Sequence, residues 1–316
     1  MIKVSDYVIS FIESIGVKDI FTISGGGSMH LLDSLGRSSI NYICNHHEQA
    51  TAMAVEGYSR ITEHIGVGLV TTGPGGTNTL TGVMGCWLDS VPSIFISGQV
   101  QTTQLSEGTG CRQIGDQEFD IAKVMSNVTK YSVMVKNKND IRYHLEKAYS
   151  EATTGRPGPV WIDIPLDIQA SLVEEDDLRG YEAPTPSPPP SLKELQIVAE
   201  KLRESSKPLL VLGGGIRLSK GAKEYLYSLL ELYNIPVVTG AHSSVDIVND
   251  DYAYYCGRIG VLGQRSSNKI IQECDLLISI GSRLPVKMTG YKFESFAKNA
   301  YKIIVHIDPN EMNKFN

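Results

Sequence analysis

Glu48 lies in His46-His47-Glu48-Gln49-Ala50, between the apolar stretch Ile40–Cys44 and the Ala/Gly-rich run Ala50–Gly57. A carboxylate at the point where a strand turns into a helix has two readings. It can complement the helix dipole, an effect worth about 0.3–1 kcal/mol, or it can exchange a proton with a ligand. Position alone favours the dipole, and the neighbouring loops reverse that balance. Ser24-Gly25-Gly26-Gly27-Ser28 follows the apolar Ile20–Ile23, and Thr71-Thr72-Gly73-Pro74-Gly75-Gly76-Thr77-Asn78 follows Val67–Val70. Glycines there permit positive φ and a close backbone approach to a ligand. Glu48 and both loops leave the carboxyl ends of strands, the edge at which open α/β sheets bind ligands. A further segment, Gln113–Asp120 with Gln117 inside it, follows the polar loop Gln101–Gly110. Such a loop is solvated surface unless its end folds over a pocket.

Other chemistries are excluded by spacing. No Gly-Lys-Ser/Thr follows either glycine loop, so neither is a P-loop, and His46, His47 and Glu48 do not form H-E-x-x-H. No G-x-S-x-G elbow occurs. The five cysteines, Cys44, Cys86, Cys111, Cys256 and Cys274, contain no C-x-x-C pair, so neither a disulfide framework nor a zinc site is expected. No metal ligands are assigned. Reduced thiols and the absence of a signal-like N-terminus suggest a cytoplasmic protein. No run of about 18 apolar residues predicts a membrane helix. A net charge of −6 argues against nucleic acid as the main partner.

The elements that must position these residues alternate. Helical periodicity marks Val4–Ile15, 77–88, 140–152, Leu192–Glu204 and 220–233. Short apolar runs lie between them: Ile20–Ile23, Ile40–Cys44, Val67–Val70, Ser93–Ser97, Tyr131–Val135 and Val160–Ile164, then Leu209–Leu212, Pro236–Thr239, Leu276–Ile280 and Ile303–Ile307. This pattern predicts an α/β protein of two doubly wound, mostly parallel-sheet domains, with Ile40–Cys44 and Ile303–Ile307 among the strands expected to be buried. The boundaries expected are a first domain over 1–170, an acidic and Pro-rich linker over 171–190, and a Rossmann-like domain over 191–316. In the second domain Gly213-Gly214-Gly215 follows a strand, although Leu218 breaks G-x-G-x-x-G. Asp308 ends Ile303–Ile307, where it either binds a ribose hydroxyl or caps a turn.

Taken in order, these segments resemble the thiamine-diphosphate enzymes of the acetolactate synthase large-subunit type. The resemblance runs through Gly25-Gly26, His47-Glu48, the helix Ala50-Thr51-Ala52-Met53-Ala54 to Glu56-Gly57-Tyr58-Ser59-Arg60, and Thr72-Gly73-Pro74-Gly75 with Asn78. It continues through Ser97-Gly98-Gln99-Val100, Gly155-Arg156-Pro157-Gly158-Pro159-Val160 and Asp163-Ile164-Pro165-Leu166-Asp167. Gly213-Gly214-Gly215, Gly281-Ser282-Arg283 and Val305-His306-Ile307-Asp308 complete it.

The resemblance implies a pyrimidine-binding first domain and a central Rossmann-like domain. Glu48 is then the acid that hydrogen-bonds N1′ of the aminopyrimidine and favours the tautomer that removes the thiazolium C2 proton. The small residues Ala50, Ala52, Ala54 and Gly57 are expected to pack closely enough to dry this site. Gly25, Gly26, Thr72, Gly73, Pro74, Gly75 and Asn78 are the implied cofactor-binding residues. Gln117 is the implied pocket glutamine, placed by its spacing to Asp120 and Thr129-Lys130. The implied reaction decarboxylates a 2-keto acid and passes the acyl carbanion equivalent to a carbonyl acceptor. Phe often precedes that glutamine in the family, and here Asp116 does, which suits a polar, sugar-like acceptor. FAD is a further implied cofactor, with Gly213, Gly214, Gly215, Arg283 and Asp308 as candidates; Leu284-Pro285-Val286-Lys287 departs from the flavin pattern. Mg²⁺ and the diphosphate belong to a third domain marked by Gly-Asp-Gly, which is absent from this sequence. The chain alone is therefore expected to be inactive. A homodimer or tetramer, or a partner polypeptide carrying that domain, is implied. The alternatives are a 2-keto acid decarboxylase or aldehyde lyase on the same scaffold, and a non-catalytic nucleotide-binding or regulatory module.

Overall fold

The structure, a computed structural model, describes residues 1–185, 188–240 and 247–314. Pro186 and Ser187 of the Pro-rich stretch, and the terminal Phe315-Asn316, lie outside the described residues. The chain divides into two units, 1–186 and 187–316.

In the first unit eight strands form in chain order: β1 (Ile2–Lys3), β2 (Asp19–Thr22), β3 (Asn41–Cys44), β4 (Gly66–Val70), β5 (Ser93–Gln99), β6 (Tyr131–Met134), β7 (Pro159–Pro165) and β8 (Leu172–Val173). Six of them make one sheet in the order β3-β2-β4-β5-β7-β6, every neighbouring pair parallel. The order turns back on itself at the β2–β4 pair, so the loops after those two strands flank a switch point. Successive side chains of the inner strands face opposite layers. Ile94 and Ile96 join a core with Val4, Val8 and Ile12 of helix Val4–Ser14 and Ile141, Leu145 and Ala148 of helix Ile141–Thr153. Phe95 instead joins Trp161, Ile121, Met125 and the residues Ala52, Val55, Val83 and Cys86. Burial in that second layer pushes the Cys86 thiol up to about 12, so it is a packing residue and not a nucleophile.

Glycines bring helix Glu48–Thr62 down onto β4. A Cβ on Gly66 would stand 2.5 Å from the Val55 carbonyl oxygen. The second helix on this face, Leu80–Asp89, packs equally close, since a Cβ on Gly82 would stand 2.5 Å from Ala52 Cβ. Arg60 ties the two helices together, reaching Glu56 and Asp89 at 2.6 Å each. The helix expected over 77–88 is thus divided into the turn Pro74–Thr77 and Leu80–Asp89.

The Ile40–Cys44 stretch, read as a buried strand, is an edge strand. All four residues of β3 are exposed, Tyr42 by 57%, because among the described residues β3 pairs with β2 alone. Residues 172–181, expected in an extended linker, dock on the first unit. β8 pairs antiparallel with β1, Leu178 is buried, and the Tyr181 amide donates to Glu146 Oε2 at 2.6 Å.

Among the described residues the second unit has five parallel strands, β9 (Pro208–Leu212), β10 (Val237–Gly240), β11 (Tyr255–Ile259), β12 (Leu276–Ile280) and β13 (Tyr301–Val305). Their order, β11-β10-β9-β12-β13, is the doubly wound arrangement with its switch point between β9 and β12. β13, expected to be buried, is the second exposed edge strand, with Tyr301 51% and Val305 44% exposed. Helix Leu192–Glu204 starts with a capping box between Ser191 and Glu194.

Candidate active site

Loops after β2, β3, β4 and β5 build one edge of the first unit's sheet. Helix Glu48–Thr62 begins directly after β3. His47 caps it by accepting the Gln49 amide on Nδ1 at 3.1 Å, which accounts for a histidine here without a metal. Glu48 is the first helical residue and is half-buried. Asn78 Nδ2 donates to Glu48 Oε2 at 2.9 Å. The other oxygen, Oε1, lies 3.8 Å from the place a Gly75 Cβ would occupy. One oxygen is therefore held by an amide while the other faces the Gly73–Gly75 backbone.

Gly73 links the two candidate catalytic residues. Its φ is +57° with ψ −112°, a backbone conformation open to glycine and strained for other residues. A Cβ there would stand 2.3 Å from the Gln117 carbonyl oxygen and 3.3 Å from Gln117 Cβ. The Gln117 turn rests in the space that Gly73 leaves. Gln117 is itself left-handed, at φ +59°, and its side chain is exposed. Pro74 follows Gly73 and opens the short helical turn that carries Gly75 toward Glu48.

Thr71, which sequence reasoning passed over, is the hub of the two glycine loops. Its Oγ1 accepts the Gly27 amide at 3.1 Å, and a Cβ on Gly25 would stand 2.3 Å from Thr71 Cβ. Gly26 faces open space. Thr72 is 4% exposed, and its Oγ1 has no hydrogen-bond partner among the described residues. The signal for Thr71 was the paired Thr71-Thr72 at a strand end. The structure brings together Glu48, Asn78, Gly75, Gly73 and Gln117, with Gly25 joined through Thr71.

The small residues of helix Glu48–Thr62 divide between two faces. Ala52 packs on Gly82, whereas Ala50 and Gly57 are exposed alongside Met53 (48%) and Ile61 (84%). On the adjacent helix Met84, Trp87 and Leu88 are exposed as well. The drying of Glu48 expected from these residues is thus not completed by the described residues of this chain, because the helix presents half of its small-residue stripe outward.

Two further polar residues lie behind the Gln117 turn. Asp163 on β7 and Gln99 on β5 are fully buried and hydrogen-bonded to one another. Burial pushes the Asp163 carboxyl up to about 7; hydrogen bonds from Ser97 and Gln99 oppose the rise and Asp120 adds to it. An acid inside the apolar run Val160–Ile164 was the signal for this pair. A cavity of about 670 Å³ lies beside the same turn, lined by Ser106, Arg112, Glu118, Phe119, Lys123 and Met134 among others.

In the second unit the candidates Gly213, Gly214, Gly215 and Arg283 follow β9 and β12 and so flank the switch point. Gly213 and Gly215 have a packing task there. A Cβ on Gly213 would stand 2.2 Å from the Gly281 carbonyl oxygen, and the Gly215 amide donates to that oxygen at 3.0 Å. Asp308 caps the short helix Pro309–Asn313 by accepting the Asn310 amide. Among the described residues no group of three His, Cys, Asp or Glu side chains could hold a metal ion, and no helix is long and apolar enough to cross a membrane.

Comparison with known proteins gives concordant matches. Family models described as "Thiamine pyrophosphate enzyme, N-terminal TPP binding domain" and "Thiamine pyrophosphate enzyme, central domain" match residues 2–124 and 195–316. A probable acetolactate synthase large subunit of Methanocaldococcus jannaschii is 35% identical over 320 residues, covering 99% of this chain and 52% of the relative. The acetolactate synthase isozyme 2 large subunit of Escherichia coli is 35% identical over 311 residues, covering 98% and 55%. Acetolactate synthase 1, chloroplastic, of Zea mays is 36% identical over 320 residues, covering 99% and 48%. The chain spans about half the length of these relatives.

Proposed function

Because the chain belongs to the thiamine pyrophosphate enzymes and carries their N-terminal and central domains, we propose that it forms part of an acetolactate-synthase-like carboligase and holds the aminopyrimidine end of thiamine diphosphate. The observation that carries this reading is the chain of neighbours Asn78–Glu48–Gly75–Gly73–Gln117, which sets an anchored acid and Gln117 against one glycine loop. The buried, unpartnered hydroxyl of Thr72, on the glycine loop itself, supports a polar heteroaromatic ligand at this edge. The Gly-Asp-Gly that the resemblance ties to Mg²⁺ and the diphosphate does not occur in this sequence. Mg²⁺ and the diphosphate are accordingly assigned to residues outside this chain.

Bound thiamine diphosphate supplies a carbon nucleophile that stores the electron pair left when a 2-keto acid loses CO2. The residues of this chain prepare that chemistry. Asn78 fixes the Glu48 carboxylate through Oε2, and Oε1 is the atom that takes and returns the proton. Gly73 yields its space to the Gln117 turn and Gly75 yields its space to Thr71 and Glu48, which sets these groups around the ligand edge. Gln117 offers its amide to the carbonyl groups of the substrates, and the adjacent Asp116 suits a polar, sugar-like acceptor better than a second pyruvate. The exposed apolar face of Met53, Ile61, Met84, Trp87 and Leu88 is covered by a second copy of the chain, which completes the drying of Glu48. Light scattering that gives a monomer, or a complex with a different polypeptide only, overturns that assignment. FAD is assigned to the β9–β12 switch point, and an assembled enzyme that releases no flavin on denaturation refutes it.

The test of the main reading is Glu48→Gln in the assembled holoenzyme, followed by exchange of the cofactor C2 proton. Exchange falls by about 100-fold or more, the usual share of a positioned acid-base group. Exchange at the wild-type rate refutes the role.

A further inference from the structure

The segment that carries Gln117 is held from two sides. On the outer side the Glu118 carboxylate accepts the amide and hydroxyl of Ser106 and, at 2.8 Å, the Ile114 amide. On the inner side a buried chain of side chains runs from the sheet to the turn. Trp161 Nε1 donates to Ser97 Oγ at 2.9 Å, and Ser97 Oγ donates to Asp163 Oδ1 at 2.6 Å. Gln99 Nε2 donates to Asp163 Oδ2 at 2.9 Å and to the Phe119 carbonyl at 2.8 Å, while its Oε1 accepts the Val100 amide at 3.0 Å. Every polar atom of the Gln99 amide is thereby committed. The orientation is self-consistent, because two acceptors face the NH2 and one donor faces the oxygen. Ser97, Gln99 and Asp163 are all 0% exposed.

Gln117 needs such a hold. A non-glycine residue at φ +59° is strained by about 1–2 kcal/mol, and strain of this kind persists only where the surroundings over-determine it. Phe119 is two residues beyond, so fixing its carbonyl fixes the exit of the turn. Gly73 fixes the turn from the other side by leaving room for the Gln117 carbonyl.

We infer that Gln99, oriented by Asp163, is a positioning residue that holds the left-handed Gln117 turn against the Gly73 loop. The inference rests on the proposed role of Gln117, and its test separates the two. Gln99→Met keeps the length of the side chain and removes both donors. Hydrogen exchange of the amides in 115–121 should then quicken by about tenfold, the effect of losing roughly 1.4 kcal/mol of local hold, within the range of one buried hydrogen bond. Exchange in helix Val4–Ser14 should not change. Asp163→Asn, whose Oδ1 can still accept from Gln99, should keep the turn protected. If Gln99→Met does not fold, Gln99→Asn replaces it: one methylene shorter, it keeps Asp163 and loses the Phe119 carbonyl.

In the assembled holoenzyme Gln99→Met should raise the KM of the acceptor, and in a Gln117→Ala background it should add nothing. Unchanged exchange at 115–121 in the folded Gln99 variant overturns the positioning role, as does a full additional loss in the Gln117→Ala background. Full activity of Gln117→Ala with quickened exchange in Gln99→Met overturns the catalytic reading of Gln117 and leaves the hold on the turn standing.

Discussion

Replacing Asp163 by Asn should remove one component of the protein's pH dependence. Its carboxyl stands fully buried between Ser97 and Gln99, and burial raises it from an ordinary value of 3.8 to about 7. The folded state therefore binds this proton more tightly than the unfolded state. Well below pH 4 the group is neutral in both states and contributes nothing. As pH rises from about 4 to about 7 the unfolded chain ionises first, and stability falls through that window. Above pH 7 the full cost is present. A rise of about three pH units at roughly 1.4 kcal/mol each sets that cost at about 4 kcal/mol. Asn is nearly isosteric, can still accept from Gln99 and carries no charge. The difference in unfolding free energy between Asp163→Asn and wild type should thus be small and flat below about pH 3. It should then grow in favour of the variant by up to about 4 kcal/mol by pH 8. Urea unfolding of both proteins across this range measures it, with the first unit followed by the fluorescence of its tryptophans, Trp87 and Trp161. Taking the difference cancels groups such as Asp6 and Glu118, whose carboxyls are held low and whose contributions are lost as pH falls. A difference that stays constant within about 0.5 kcal/mol, the scatter expected of independent sites, refutes the burial argument.

Gly73→Ala should destabilise the first unit by about 2–5 kcal/mol. That figure combines a glycine-only backbone conformation with a Cβ 2.3 Å from the Gln117 carbonyl. Denaturant midpoints within error of wild type would contradict it. Gly26→Ala, whose Cβ meets nothing within 4 Å, is the matched control and should cost little. In the assembled enzyme, pyruvate alone should turn over slowly until a polar carbonyl acceptor is added; rapid acetolactate formation from pyruvate would eliminate the acceptor assignment.

The candidate site was legible because its parts obey local rules. Glycine clusters after apolar runs mark strand ends, and Glu48 stands at such an end. What stayed hidden depends on sheet order, which no local pattern encodes. Ile40–Cys44 reads as buried from its apolar content, yet β3 lies at the sheet edge with only β2 beside it. The strand Tyr255–Ile259 escaped notice because Gly257 and Arg258 interrupt its apolar pattern at another edge. Helix Arg265–Glu273 was missed because Ile270 and Ile271 are its only apolar residues. Gln99 and Asp163 sit in register near one another on β5 and β7, yet 64 residues apart in the chain, so their hydrogen bond appears only once those strands are paired. Thr71 had no reading of its own, since its task is to meet another loop.

The short pairing of β1 with β8 has an architectural consequence. The Val4 amide donates to the Ser171 carbonyl at 2.9 Å, and the Met1 ammonium meets Glu174 at 3.0 Å. The first unit is thereby clasped close to its start, and the chain beyond β8 stays on it through Leu178 and Tyr181. A module of this kind can be spliced into a host protein as an insert, or its ends can be joined and new ones opened elsewhere, without unthreading the six-stranded sheet.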